Sequence, residues 1–202
     1  MFGARCLVEL IRKDPKTVLD VGSGKSEHTK SLLAHGAKVV GIDMQPARLR
    51  HPNYSHVQGN FLVLSTFDQY DAVWTSHTLE HVPDPGVFLR KCRTVTKLGG
   101  WFGIVVPSDR NDILIDSHCT FWTPAHLLYN MVLAGWNCKD AEYYTEGRDI
   151  GLLVSRMDVP TKAFTYATGQ LGALQDYFPV PLIPRVTNPW LPDRWPPNYE
   201  DF

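Results

Sequence analysis

Thr17-Val-Leu-Asp20-Val-Gly22-Ser23-Gly24-Lys25-Ser26-Glu27-His28, followed by Val39-Val-Gly-Ile-Asp43, is the segment from which the rest of the chain is read. Its apolar, β-branched start predicts a buried parallel strand. The glycines predict a tight turn, and Ser26 to His35 carries helical periodicity with Leu32 and Leu33 on one face. Strand, turn and helix make half of a doubly wound α/β fold. Such folds bind ligands beyond the carboxyl ends of their strands, where an acid at the end of the second strand can bond ribose hydroxyls. Asp43 stands at that position, so a nucleoside-type cofactor is expected.

Charge separates the ligands that compete for this turn. A dinucleotide needs Gly-x-Gly-x-x-Gly with its pyrophosphate on the helix N-terminus. Here Glu27 occupies the last glycine position and repels phosphate. Gly22-Ser-Gly24-Lys25-Ser26 imitates the tail of a Walker A loop, with Asp43 in the place of a Walker B acid. The glycine that should precede it is Leu19, inside the apolar strand, which leaves too short a loop to wrap a triphosphate. S-adenosylmethionine has no phosphate and carries a positive sulfonium and amine, so Asp20 and Glu27 oppose nothing. The simpler roles are a first-turn helix carboxylate for Glu27 and a turn-stabilising carboxylate for Asp20.

These pieces resemble the class I S-adenosylmethionine-dependent methyltransferases, in particular the small-molecule type with a single methyltransferase domain. The resemblance runs from about Thr17 to Met157, with five landmarks in the family order. Leu19-Asp20-Val-Gly22-Ser-Gly24 resembles the first motif, and Gly41-Ile-Asp43-Met44 the second. Gln58-Gly59-Asn60-Phe61 stands where the family usually has Gly-Asp, with Asn60 replacing the acid. Tyr70-Asp71-Ala-Val-Trp-Thr-Ser76-His77-Thr-Leu-Glu80-His81-Val-Pro83-Asp84-Pro85 resembles the fourth-strand motif, and Lys97-Leu-Gly99-Gly100 the turn before the fifth strand. Ser26 replaces the third glycine of the usual first motif, and its hydroxyl is expected to crowd the methionine part of the ligand.

The resemblance implies S-adenosyl-L-methionine as cofactor and distributes its contacts. Asp20, Gly22, Ser23 and Gly24 would hold the methionine part and Asp43 the ribose. Met44 and Phe61 would pack on the adenine faces and Asn60 on its edge, with Ser76 and His77 beneath the sulfonium.

The alternation of strands near 17–21, 38–42, 54–58, 70–75 and 101–106 with helices near 3–13, 26–35, 85–97 and 124–134 predicts a mostly parallel sheet covered on both faces. Trp136 to Tyr144 and Ile150 to Met157 read as two closing strands, and the resemblance makes the last one antiparallel. The expected fold is therefore a Rossmann-like, doubly wound, seven-stranded α/β sheet in a domain spanning 1–158. Residues 159–202 hold 8 of the 15 prolines together with Trp190, Trp195 and several Tyr and Phe. Proline at that density opposes long helices and central strands, so this part reads as an extended aromatic arm. It is either packed along the domain or used as a substrate lid or homodimer contact.

At 202 residues the chain suits one domain. With a net charge of −1 and scattered basic residues, no footprint for nucleic acid is visible. Cys6, Cys92, Cys119 and Cys138 form no Cys-x-x-Cys pair, which fits reduced thiols and a cytoplasmic protein. The first residues pattern as an amphipathic helix rather than a signal peptide, and no apolar run approaches a membrane span.

Methyl transfer needs mainly alignment of nucleophile, methyl and sulfur, with a base where a hydroxyl acceptor must lose a proton early. His77, His81 and His118 are the candidates. His118 lies in Asp116-Ser-His118-Cys-Thr-Phe-Trp-Thr-Pro, where similar methyltransferases place substrate-facing residues. Its alternative role is to bond the loop backbone and shape the rim.

His77-Thr-Leu-Glu80-His81 also spells an inverted zinc-protease pattern, but Pro83 leaves barely one helical turn for it. Some similar quinone-related methyltransferases hold a divalent cation with acids at this turn. His77 stands in place of one acid, and no metal is expected. The reading is transfer of a methyl group to a small or medium-sized acceptor, oxygen favoured, with the acceptor entering over 107–123 and the arm. The alternative is a non-catalytic, methyltransferase-like binding module.

Overall fold

A computed structural model describes residues 3–65, 68–108, 115–157 and 174–179. Its elements are α1 (Ala4–Arg12), β1 (Thr17–Val21), α2 (Glu27–Ala34), β2 (Lys38–Asp43), β3 (Tyr54–Gln58), β4 (Tyr70–Ser76), α3 (Pro85–Val95), β5 (Thr96–Pro107), α4 (Pro124–Leu133), β6 (Glu142–Glu146) and β7 (Asp149–Ser155). Short 3₁₀ turns occupy Leu79–His81 and Gln175–Tyr177.

One seven-stranded sheet runs in the order β3-β2-β1-β4-β5-β7-β6. Strands β1 to β5 are parallel, and β7 is antiparallel to both neighbours. The order reverses between β1 and β4, and the loops leaving their carboxyl ends diverge there to open a crevice.

Side chains alternate across this sheet as the pleat demands. Val18, Val39, Ala72, Trp74, Val105 and Leu153 face one layer with Cys6, Leu7 and Leu10 of α1 and Leu32 and Leu33 of α2. Leu19, Val21, Ile42, Val73, Phe102, Ile104 and Val106 face the other, against Phe88, Leu89 and Cys92 of α3 and Leu127, Leu128 and Met131 of α4. Helix starts follow the side-chain chemistry. Asp84 accepts the amide of Val87 before Pro85, and Thr123 accepts that of His126 before Pro124.

Two predicted elements need correction. The strand expected over Trp136 to Tyr144 begins only at Glu142. Gly135 turns the chain at φ +92° after α4, and Trp136 then plugs the core, stacked on Phe102 at 4.9 Å with its indole N–H on the Leu89 carbonyl. A burial anchor in a loop imitates strand hydrophobicity. The fifth strand, expected over 101–106, starts earlier because Thr96 already pairs with Tyr70 before a register irregularity.

In the carboxyl-terminal region, Leu174 and Phe178 are buried in the α3/α4 layer, and the Tyr177 carbonyl accepts the amide of Cys138. The remainder of the 159–202 arm lies outside the described residues, as do 109–114 of the expected acceptor loop. Among the described residues, no helix is long and apolar enough to cross a membrane.

Candidate functional site

The loop after β1 is shaped by backbone constraints. Gly22 has φ +77°, and a Cβ there would lie 2.0 Å from Thr78 Oγ1, so the close approach of the β4 loop requires glycine. The amides of Gly22 and Ser23 both donate to the Ile42 carbonyl, at 2.8 and 3.1 Å. Gly24, at φ +47°, donates its amide to Asp43 Oδ2 at 2.8 Å. Asp43 Oδ1 accepts from the Gln45 amide at the same distance. The carboxylate at the end of β2 thus clasps two loops, and lone pairs remain for ligand hydroxyls.

Around Asp43 opens a cleft of about 430 Å³, within the usual range for small-molecule sites. Of the residues expected to hold a cofactor, Gly22, Gly24, Asp43, Met44, Asn60, Phe61 and His77 line it. Met44 is exposed and Phe61 buried, so one wall is a solvent-facing thioether side chain and the other a packed ring. Asn60 Oδ1 accepts the Leu62 amide at 2.9 Å. The sequence reading did not single out Thr78, Val82 or Phe88, which complete the wall from the β4 loop and α3. Lys25 is exposed and does not line the cleft.

Asp20, Ser23 and Ser76 sit behind the cleft surface and do not line it. Asp20 is buried and accepts the Thr29 hydroxyl at 2.5 Å. Burial pushes its carboxyl up to about 7; the Thr29 bond opposes this and the nearby Asp43 adds to it. Ser26 does not line the cleft either. The irregularity is in the backbone: the residue is buried with φ +61°, the left-handed conformation glycine adopts without penalty.

His77 closes β4 at φ +51°. Its Nε2 lies 3.1 Å from Asp149 Oδ1 and its Nδ1 3.5 Å from Glu80 Oε1. Burial lowers the imidazole's proton affinity, but the Asp149 hydrogen bond and the Glu80 carboxylate outweigh it and raise the pKa to about 9. The shift favours the protonated ring, with Asp149 as its hydrogen-bond partner. Asp149, from β7, also accepts the Gly3 amide before α1 at 2.8 Å. Nothing in the local sequence marks it, because the antiparallel register alone brings it beneath β4.

His118 lies at the rim, its ring edge-on to His81 at 4.9 Å. His81 lines the cleft, and its Nδ1 is 3.0 Å from the Ser117 carbonyl. Glu80, His81 and His118 each offer a ligand atom within 4.8 Å of the others, and the buried Glu80 carboxylate oxygens make no hydrogen bond among the described residues. This is a donor set with the chemistry to hold a divalent cation. The 3₁₀ turn at Leu79–His81 points His77 toward β7 and His81 toward the 115–123 segment, so the two histidines of the protease-like pattern do not converge.

Residues 19–104 match the family model described as a methyltransferase domain. Over that stretch the chain is similar to methyltransferase domains. Among curated proteins it is 34% identical over 97 residues to a ubiquinone biosynthesis O-methyltransferase from Nitrosomonas europaea, covering 43% of this chain and 41% of that protein. A protein of the same description from Chromobacterium violaceum is 37% identical over 97 residues, covering 43% and 42%. The chain thus spans about two fifths of the length of these relatives.

The domain's fold resembles human N-acetylserotonin methyltransferase in complex with SAM (TM-score 0.63, 15% identity, 78% of this chain and 52% of that one). It also resembles Burkholderia thailandensis 1,6-didemethyltoxoflavin-N1-methyltransferase with bound S-adenosylhomocysteine (TM-score 0.63, 16% identity, 76% and 77%).

Proposed function

We propose that this protein binds S-adenosylmethionine in the cleft around Asp43 and transfers its methyl group to a small or medium-sized acceptor, at oxygen in preference to nitrogen. The observation that carries the reading is the cleft itself. A carboxylate at the β2 end faces a glycine turn whose lysine, Lys25, does not line the cleft. Polyphosphates are repelled there, and a cationic nucleoside with ribose hydroxyls is accommodated.

In this reading the residues divide the work. Gly22 and Gly24 leave the ligand's amino-acid part room beside the turn, with Asp20 and Ser23 supporting that turn from behind. Asp43 accepts the ribose hydroxyls. Met44 and Phe61 flank the base, and Asn60 accepts the amino group at its edge. His77, backed by Ser76, forms the floor as a hydrogen-bond donor. The bound sulfonium supplies an activated methyl and a good leaving group. The protein's own task is orientation of the acceptor at about 3–3.5 Å and exclusion of water.

His118 and His81 face that side, and His118 acts as the base that takes the acceptor's proton. The relatives' printed name, with its oxygen acceptor, supports a hydroxyl substrate. Free cysteines, three of them buried, support action in the cytoplasm. The aromatic arm serves the acceptor side as a lid or a dimer contact.

Calorimetry with S-adenosylmethionine and S-adenosylhomocysteine, with ATP as control, tests the first half. Binding that disappears in Asp43→Ala supports it, whereas heat with ATP alone overturns it. Transfer of a labelled methyl group to a panel of phenols and amines tests the second half. Tight cofactor binding without transfer to any acceptor would leave the binding module.

A further inference from the structure

We infer that Lys91 of α3 is a positioning residue for the nucleoside end of the cleft, setting its preference for adenine; this rests on the cofactor reading above. The Lys91 ammonium donates to the backbone carbonyls of Phe61, Leu62 and Leu64, the Leu62 contact at 3.2 Å. It also lies 4.9 Å from the centre of the Phe61 ring. All three carbonyls belong to the turn that follows β3. Bonds to Asn60 also close that turn: the amides of Val63 and Leu64 reach its carbonyl at 3.1 and 3.2 Å, and that of Leu62 reaches its side chain.

Carbonyl oxygens converging on one point repel each other unless a donor stands between them. An ammonium, with three donors and a full charge, satisfies all three at once. The turn therefore has two sides. Its inner side, Gly59 to Leu62, lines the cleft, and its outer side is clasped by Lys91, which does not.

Phe88 reinforces the clasp. It lies three residues before Lys91 on the same face of α3, and its ring meets Phe61 edge-on at 5.5 Å. One helix face thus grips the turn through a ring and a charge. The orientation of the Asn60 amide follows from that grip. A free lone pair on Asn60 Oδ1 accepts from the amino group of adenine, whereas hypoxanthine presents an oxygen at the same position and is repelled. Removing the charge on Lys91 frees three carbonyls to turn toward solvent, and the amide loses its aim.

Calorimetry of wild type, Lys91→Met and Lys91→Arg with S-adenosylhomocysteine and S-inosylhomocysteine, beside thermal unfolding, tests this. Lys91→Met is expected to bind S-adenosylhomocysteine about tenfold more weakly and to lose most of the preference over the inosine compound. Lys91→Arg keeps the charge and the donors and retains both. Lys91→Gln is measured alongside should the Met variant fail to fold, and the same losses are expected of it. If the neutral variants unfold at a lower temperature yet keep the base preference within about twofold, Lys91 is only structural and the inference falls. If wild type binds neither compound, the cofactor reading falls with it.

Discussion

The two ends of the cleft are built differently. The end proposed for the nucleoside is fixed largely by backbone: Gly22 pressed against Thr78, and Gly24 and Gln45 amides on Asp43. The end proposed for the acceptor is fixed by side chains from distant segments, with His77 held by Asp149 of β7, and His81 packed against His118. Backbone constraints leave glycines and a strand-end acid in fixed sequence order. Side-chain convergence leaves no such trace. On the proposed reading, one end serves a ligand of fixed shape, and the other is open to variation.

The sharpest way to break this contrast is to remove one side chain from the acceptor end. His118→Ala is expected to lower methyl-transfer turnover by about 10²–10⁴-fold, the range for a lost general base, while S-adenosylhomocysteine affinity stays unchanged. If calorimetry shows affinity falling in step with turnover, the two ends are not separable. At the other end, Gly22→Ala forces a Cβ into Thr78 and a residue with a side chain into φ +77°. Strain and overpacking together make this about 2–4 kcal/mol, or roughly 5–15 °C of melting temperature for a chain of this size, measurable by calorimetric unfolding.

Asp43→Ala removes charge-assisted bonds to ribose at about 1.5–3 kcal/mol, and should weaken S-adenosylhomocysteine binding about 10–150-fold in titration.

Smaller effects separate the ends by pH. Asp20 holds its proton more tightly folded than unfolded, so the stability it adds is complete below about 3.8 and is lost as pH rises through about 7. His77 behaves alike in a higher window: its contribution is complete below about 6.5 and lost through about 9. Melting temperature should therefore decline with rising pH in two stretches. Asp20→Asn flattens the lower and His77→Gln the upper, and a single variant that abolishes both would merge the two regions. The smallest change expected is a gain. Ser26→Gly relieves a left-handed residue at about 1 kcal/mol, partly offset by the freer unfolded chain, and should raise the melting temperature by up to about 3 °C.

Most of the sheet was legible because β-branched runs, capping residues and glycine turns act locally. Thr123-Pro124 announced α4, and Asp43 announced its own place. Trp136 misled because burial in a loop and burial in a strand use the same residue types. Ser26 differs: it has a torsional consequence that only the left-handed backbone reveals. Asp149 and Lys91 were invisible, since an acid opening an edge-side strand and a lysine on an amphipathic helix look solvated in one dimension. Their partners lie 72 and about 30 residues away in sequence, and only tertiary register brings them together.

That register has a consequence for how this chain can vary. Asp149 sits opposite Pro107 in the β5–β7 ladder while Leu152 and Leu153 fill opposite core layers. Insertion or deletion of a single residue inside β7 would exchange those leucines' faces and carry the carboxylate away from both His77 and Gly3. Around this strand, length polymorphism among natural or engineered versions of the chain should accordingly fall at the Gly147 hairpin or beyond Met157, with the seven positions of β7, Asp149–Ser155, immune to gaps.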